Sequence, residues 1–235
     1  MKFAAKLVLT ARTLGPRRFV QLVAARLRGP NPIRPWQSDL DFLRRASEVE
    51  SRTLLDGRRL YMLVQLARQT APIPGHVAEV GVYRGGSAKL LARLAAEARK
   101  QVLLFDTFSG MPDADSAVDL HQRGDFADTS LESVRRFLSD SPNVVFHPGF
   151  FPDSAASLAQ ETFSLVHVDV DIYSSVKACC EFFYPRLARG GVLVFDDYGF
   201  IPCPGAKRAV DEFFVSTADR PVYLPSGQCA IWRIA

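Results

Sequence analysis

Short apolar runs recur along the chain at wide spacing, at residues 76–80, 102–105, 144–147, 165–168 and 192–195. Each is followed by a stretch with helical composition and spacing: 87–99, 130–139, 153–160, 174–188 and 205–217. Near-continuous apolar strands alternating with helices predict an α/β fold, a doubly wound, mostly parallel sheet covered on both faces. Two last apolar segments, 221–224 and 229–234, flank Pro225-Ser226-Gly227-Gln228 and read as a hairpin, so the sheet is expected to end with an antiparallel strand. Residues 39–70 read as two amphipathic helices with Asp39 as N-cap, and Thr129 with Glu132 reads as a capping box.

Ahead of this pattern lies a different segment. Phe3, Leu7, Ala11 and Leu14, then Phe19, Val23 and Leu27, recur at helical spacing on either side of Gly15-Pro16, and the proline-rich stretch 29–36 cannot continue a helix. The expected organisation is a basic helical arm with its linker over residues 1–38 and one domain over 39–235.

Composition narrows the class. The chain has 235 residues, 48% hydrophobic and 23% charged, which excludes global disorder. It contains no run of about eighteen uncharged apolar residues, which excludes a spanning helix. Residues 1–38 hold eight basic residues and no acid, whereas the rest holds 21 basic and 25 acidic residues. The net charge of +4 therefore describes the arm, and no nucleic-acid partner is expected. Two readings of the arm stay open: a helix packing on its own domain or on a second copy in a homo-oligomer, and a basic amphipathic segment (residues 1–28) lying peripherally on the inner face of a membrane. Cys179, Cys180, Cys203 and Cys229 form no C-x-x-C pair, so neither a disulfide scaffold nor a zinc ribbon is expected, and a cytoplasmic location is.

In a doubly wound sheet, ligands bind beyond the carboxyl ends of the strands. Four of the five strand ends carry a carboxylate: Glu79, Asp106, Asp169 with Asp171, and Asp196 with Asp197. The first turn, Glu79-Val80-Gly81-Val82-Tyr83-Arg84-Gly85-Gly86-Ser87, allows a ligand close to the backbone at a helix N-terminus. It is not a dinucleotide fingerprint, because position 83 is tyrosine, and it lacks the closing Gly-Lys-Ser/Thr of a P-loop. Glu79 repels a pyrophosphate and attracts a sulfonium, while Asp106 suits the two hydroxyls of a ribose. A cationic nucleoside meets both demands, and S-adenosylmethionine is the common biological example.

Asp169, Asp196 and Asp197, crowded on neighbouring strand ends, call for a compensating cation. Oxygen ligands with no Cys/His cluster beside them in the sequence suit Mg²⁺, or Mn²⁺. Such an ion lowers the pKa of an acceptor hydroxyl, an aspartate takes the proton, and the oxygen attacks a methyl group in line.

Four ordered motifs carry a resemblance: the glycine turn 79–87, Phe105-Asp106-Thr107-Phe108-Ser109-Gly110-Met111-Pro112, Asp169-Val170-Asp171-Ile172-Tyr173 and Phe195-Asp196-Asp197-Tyr198-Gly199. Together, over roughly residues 55–234, the chain resembles the macrocin O-methyltransferase family, whose members methylate sugar hydroxyls on natural products. The resemblance implies a class I methyltransferase (Rossmann-like) fold with a seven-stranded sheet. It implies that Glu79, Gly81, Tyr83, Gly85, Gly86, Ser87, Asp106, Thr107 and Phe108 bind S-adenosylmethionine, with Gly149 and Phe150 near the adenine where the family has Gly-Trp-Phe. It also implies that Asp169, Asp196 and Asp197 hold the metal, with Asp169 also beside the donor and acting as base. Val170 replaces the glycine of the family's Asp-Gly-Asp, and Asp169 is favoured over Asp171 as the ligand because it is nearer the strand.

The polar segment 109–128 is expected to be a lid. His121 within it, with Tyr173 and Tyr198, is read as facing the acceptor, a small molecule or glycoside. His147 and His167 are read as packed or hydrogen-bonded residues, and Cys203 as part of the pocket wall rather than a nucleophile. Two rival functions are a hydroxylase-like relative with a redox metal and a membrane-surface adaptor working through the arm.

Overall fold

The computed structural model describes residues 15–17, 20, 21, 24 and 34–234. The chain divides into two compact units, Met1–Ser38 and Asp39–Ala235. The helices expected in the arm fall mostly outside the described residues. Within the first unit, Pro35–Gln37 form a short 3-10 turn.

The second unit opens with α1 (Leu40–Ser47) and α2 (Gly57–Gln69). Asp39 caps α1 by accepting from the Phe42 amide at 2.9 Å, and Asp56 caps α2 by accepting from the amides of Arg58 and Arg59. Five parallel strands follow: β1 (His76–Val80), β2 (Val102–Asp106), β3 (Val144–Pro148), β4 (Phe163–Val168) and β5 (Leu187–Phe195). A hairpin of β6 (Val222–Tyr223) and β7 (Cys229–Trp232) completes one seven-stranded sheet of order β3-β2-β1-β4-β5-β7-β6. β7 runs antiparallel to β5, and the turn closes with Leu224 and Gln228 hydrogen-bonded at 2.9 Å.

The crossovers carry α3 (Gly86–Glu97), α4 (Leu131–Phe137), α5 (Tyr173–Phe183) and α6 (Pro204–Phe214). Phe105, Phe163, Phe183, Phe195 and Phe214 are wholly buried between sheet and helices, and Phe183 stacks on Phe151 with ring centroids 5.2 Å apart. An aromatic core of this kind is tightly packed and holds the strand ends rigidly.

Three local expectations are corrected. The helix expected over 174–188 stops at Phe183, because Pro185 diverts the chain into a 3-10 turn, and Leu187 already begins β5. Residues 153–158 form a 3-10 turn rather than an α-helix. The N-cap of α4 is Ser130, whose hydroxyl accepts from the Ser133 amide; the hydroxyl of Thr129 donates instead to the Tyr83 carbonyl and ties this segment to the glycine turn.

Candidate active site

Chain order reverses between β1 and β4, so their carboxyl ends open the crevice where a doubly wound sheet receives ligands. At that point the backbones nearly touch. A Cβ on Gly81, whose φ is +87°, would lie 1.8 Å from the carbonyl oxygen of Asp169, so only glycine fits. The turn after β1 is held by Asp106 at the end of β2. Its Oδ2 accepts from the amides of Val82 at 2.6 Å and Tyr83 at 2.9 Å, and its Oδ1 accepts from the Phe108 amide at 2.7 Å.

A cavity of about 330 Å³ lies over this point. Gly81 and Tyr83 of the turn, Ser87 in the first turn of α3, Asp106 and Thr107 at the end of β2, and Gly149 and Phe150 after β3 line one part of it. Asp169 and Asp197 line another, and His121 reaches it from the segment between β2 and α4. Sequence-predicted residues from five strand ends and the lid segment thus share one cavity.

Others do not reach it. Gly85 and Gly86 lie behind the turn at the start of α3, Gly86 packed against the backbone of Arg52 and Thr53. Phe108 is buried. Tyr173 and Tyr198 do not line the acceptor space as expected: Tyr173 donates its hydroxyl to Glu212 at 2.7 Å and Tyr198 to Asp211 at 2.8 Å, so acids of α6 draw both away. Glu79 does not line the cavity either. It is completely buried within the sheet, its Oε1 2.9 Å from Nδ1 of His167, and its Oε2 has no hydrogen-bond partner.

His167 is buried and hydrogen-bonded, as expected from the sequence. It pairs in register with Glu79, and its Nε2 lies 3.4 Å from Oδ1 of Asp196, so one imidazole bridges two buried carboxylates. Burial opposes its charge, but the hydrogen bonds to Asp196 and Glu79 prevail and hold its pKa well above the ordinary value. The signal was available in strand register, where a histidine on β4 stands beside the glutamate of β1.

Arg59 of α2 is a residue that the sequence reading missed. Its guanidinium pairs with Oδ2 of Asp196, donates to the Leu54 carbonyl at 2.7 Å and lies over the Phe200 ring at 4.9 Å. No motif announced it. Burial would raise the pKa of Asp196, but the hydrogen bond and charge of His167, with Arg59 and Gln228, hold it below the ordinary value.

Asp169 and Asp197 behave in the opposite way. Burial first, then repulsion by Asp196, pushes the Asp169 carboxyl well up; burial first, then the charges of Asp171, Asp169 and Asp196, does the same to Asp197. Asp169, Asp196 and Asp197 each offer an oxygen within 4.8 Å of the others. Three carboxylates crowded this closely, two of them pushed upward by burial and mutual repulsion, fit a hard, oxygen-liganded divalent ion. Asp169 and Asp197 bring the less committed oxygens; both oxygens of Asp196 are already engaged, Oδ1 by His167 and Gln228 and Oδ2 by Arg59. Asp171 is turned elsewhere, toward His121 and Cys203, with φ +57°.

The described residues include no helix long and apolar enough to cross a membrane. Over 155 residues the chain is 33% identical to the demethyldecarbamoylnovobiocin O-methyltransferase of Streptomyces niveus, an alignment taking in 60% of this chain and 58% of that protein. Over 148 residues it is 34% identical to the 8-demethyl-8-(2,3-dimethoxy-alpha-L-rhamnosyl)-tetracenomycin-C 4'-O-methyltransferase of Streptomyces olivaceus, at 57% of each chain. The match therefore spans less than two thirds of these relatives. Among solved structures, the O-methyltransferase NovP superposes with a TM-score of 0.70 at 28% identity, covering 78% of this chain and 83% of that one. Residues 46–233 match the family model described as macrocin-O-methyltransferase (TylF), and on that extent of match the chain belongs to the macrocin O-methyltransferase family.

Proposed function

We propose that the protein is an S-adenosylmethionine- and Mg²⁺-dependent O-methyltransferase acting on a hydroxyl of a sugar in a glycosylated small molecule. One observation carries the reading: a single cavity is bordered on one side by the glycine turn with Asp106 and on another by Asp169 and Asp197. Family membership and relatives named for methylating natural products, one of them rhamnosylated, support the same reading.

In this mechanism Gly81, Tyr83, Ser87 and Asp106 seat the donor, with Asp106 both shaping the turn and meeting the ribose. Gly149 and Phe150 border the adenine. Asp169, Asp196 and Asp197 hold the metal, which when bound supplies Lewis acidity to an acceptor hydroxyl. Asp169, at the cavity wall, receives the hydroxyl proton. The rigid strand ends keep acceptor oxygen and methyl carbon aligned at roughly 3 Å, where most of the rate advantage of positioning arises.

The test combines the full-length protein, labelled S-adenosylmethionine and a panel of rhamnosylated or otherwise glycosylated natural products. Label transfer that stops on chelation and returns with Mg²⁺ supports the proposal. Failure of calorimetry to detect donor binding in the presence of Mg²⁺ overturns it.

A further inference from the structure

A second group of metal-ligating side chains meets beside the acidic one, and it is chemically different. His121, Asp171 and Cys203 come from three separated places: the segment between β2 and α4, the turn after β4, and the residue before α6. All three border the cavity. Sγ of Cys203 lies 3.3 Å from Oδ1 of Asp171 and 3.7 Å from Nε2 of His121, and Nε2 of His121 lies 3.6 Å from Oδ1 of Asp171.

Those three separations have the size of a coordination polyhedron. Zinc bonds of about 2.3 Å to sulfur and about 2.0–2.2 Å to nitrogen and oxygen, arranged tetrahedrally, place the ligand atoms about 3.3–3.6 Å apart. The other nitrogen of His121 is also engaged as in a metal-bound histidine. Its Nδ1 lies 3.0 Å from Oδ2 of Asp125, which is itself fixed by the Gln122 amide, so Nε2 is presented to Cys203 and Asp171.

We propose that Cys203, His121 and Asp171 form a binding site for a thiophilic divalent ion of the Zn²⁺ class, separate from the all-oxygen group of Asp169, Asp196 and Asp197. Binding replaces the thiol proton of Cys203, which is released to solvent, with a sulfur–metal bond; the remaining coordination position opens toward the cavity. Two ligands belong to the sheet framework and one to segment 109–128, so an occupied site ties that segment down over the cavity. The inference is independent of the methyl-transfer reading.

The experiment is a titration of the full-length, metal-free protein with Co²⁺, followed by absorption. One equivalent is expected to give a sulfur-to-cobalt charge-transfer band with the visible bands of a tetrahedral ion; Zn²⁺ removes them and excess Mg²⁺ does not. Cys203→Ser and His121→Ala are expected to lose the charge-transfer band or weaken binding at least tenfold, Asp125→Asn to weaken binding roughly 10–100-fold, and Asp196→Asn to retain the band. Circular dichroism reports whether each variant is folded, and His121→Ala, on a loop, serves if Cys203→Ser is not. A wild-type protein without a charge-transfer band, or a band that survives folded Cys203→Ser, overturns the proposal.

Discussion

Glu79 and His167 stand side by side on adjacent strands, both without solvent exposure, with Oε1 and Nδ1 2.9 Å apart. The imidazole satisfies a buried carboxyl inside the sheet, and Asp196, just past the end of the next strand, shares the same imidazole. Removing one partner strands the other in a medium that solvates it poorly. Glu79→Ala is therefore expected to lower unfolding free energy by about 3–5 kcal/mol in urea titrations. A loss below about 1 kcal/mol would show that the imidazole is neutral and the bridge inconsequential.

Asp106 has a different task, since its carboxylate gathers three backbone amides from two loops. Asp106→Ala releases the glycine turn and removes the expected ribose contact together. Calorimetry with S-adenosylmethionine is expected to show at least a tenfold loss of affinity, with a smaller stability loss than Glu79→Ala. Unchanged affinity would remove Asp106 from the donor site.

The raised carboxyls of Asp169 and Asp197 give a pH dependence with a defined sign. A group whose pKa rises on folding contributes stability that is complete below its unfolded value, here the ordinary 3.8, and lost as pH climbs through the folded value. In chelator, this part of the melting temperature should fall as pH is raised from about 4 toward neutrality, and Mg²⁺ should restore it. Asp197→Asn should melt at or above wild type in chelator and respond little to Mg²⁺. Differential scanning calorimetry at several pH values checks both signs, and an Asp197→Asn protein stabilised by Mg²⁺ as strongly as wild type refutes the assignment.

Asp119 anchors segment 109–128. Its Oδ1 accepts from the amide of Tyr173, the first residue of α5, a helix whose own N-cap residue Ile172 offers no side-chain cap. The same oxygen would lie 1.9 Å from a Cβ on Gly205 near the start of α6. Asp119→Ala is expected to cost about 1 kcal/mol as a lost cap, and Gly205→Ala about 1–3 kcal/mol by overpacking. Because the clash is with Asp119 itself, the double variant should cost clearly less than the two single costs together. Strict additivity in denaturant midpoints would break this link.

Much of the fold could be read in advance because the inner parallel strands are apolar runs with both faces covered, and β2, β4 and β5 end where the run meets a carboxylate. The cavity-lining residues Asp106, Asp169 and Asp197 follow from that rule, and Gly81 from the glycine turn. Direction is harder to read than position. Glu79 lies one residue before the end of β1, and that single step turns it into the sheet toward His167 instead of out into the cavity. Tyr173 and Tyr198 sit next to the acidic motifs, yet the acids of α6 claim their hydroxyls. Arg59 carried no pattern, because its partner Asp196 lies 137 residues away and only the tertiary fold joins them. The convergence of His121 with Cys203 is of the same kind.

The way Asp119 fastens its segment has a practical corollary. Met111, Pro112, His121 and Phe126 form the outer wall of the cavity, whereas the donor turn and the acidic group belong to the sheet. Swapping 109–118 and 120–128 for a relative's loop while keeping Asp119 replaces that wall and leaves the strand ends intact. Under the proposed function, acceptor choice would then be exchangeable apart from the transfer chemistry.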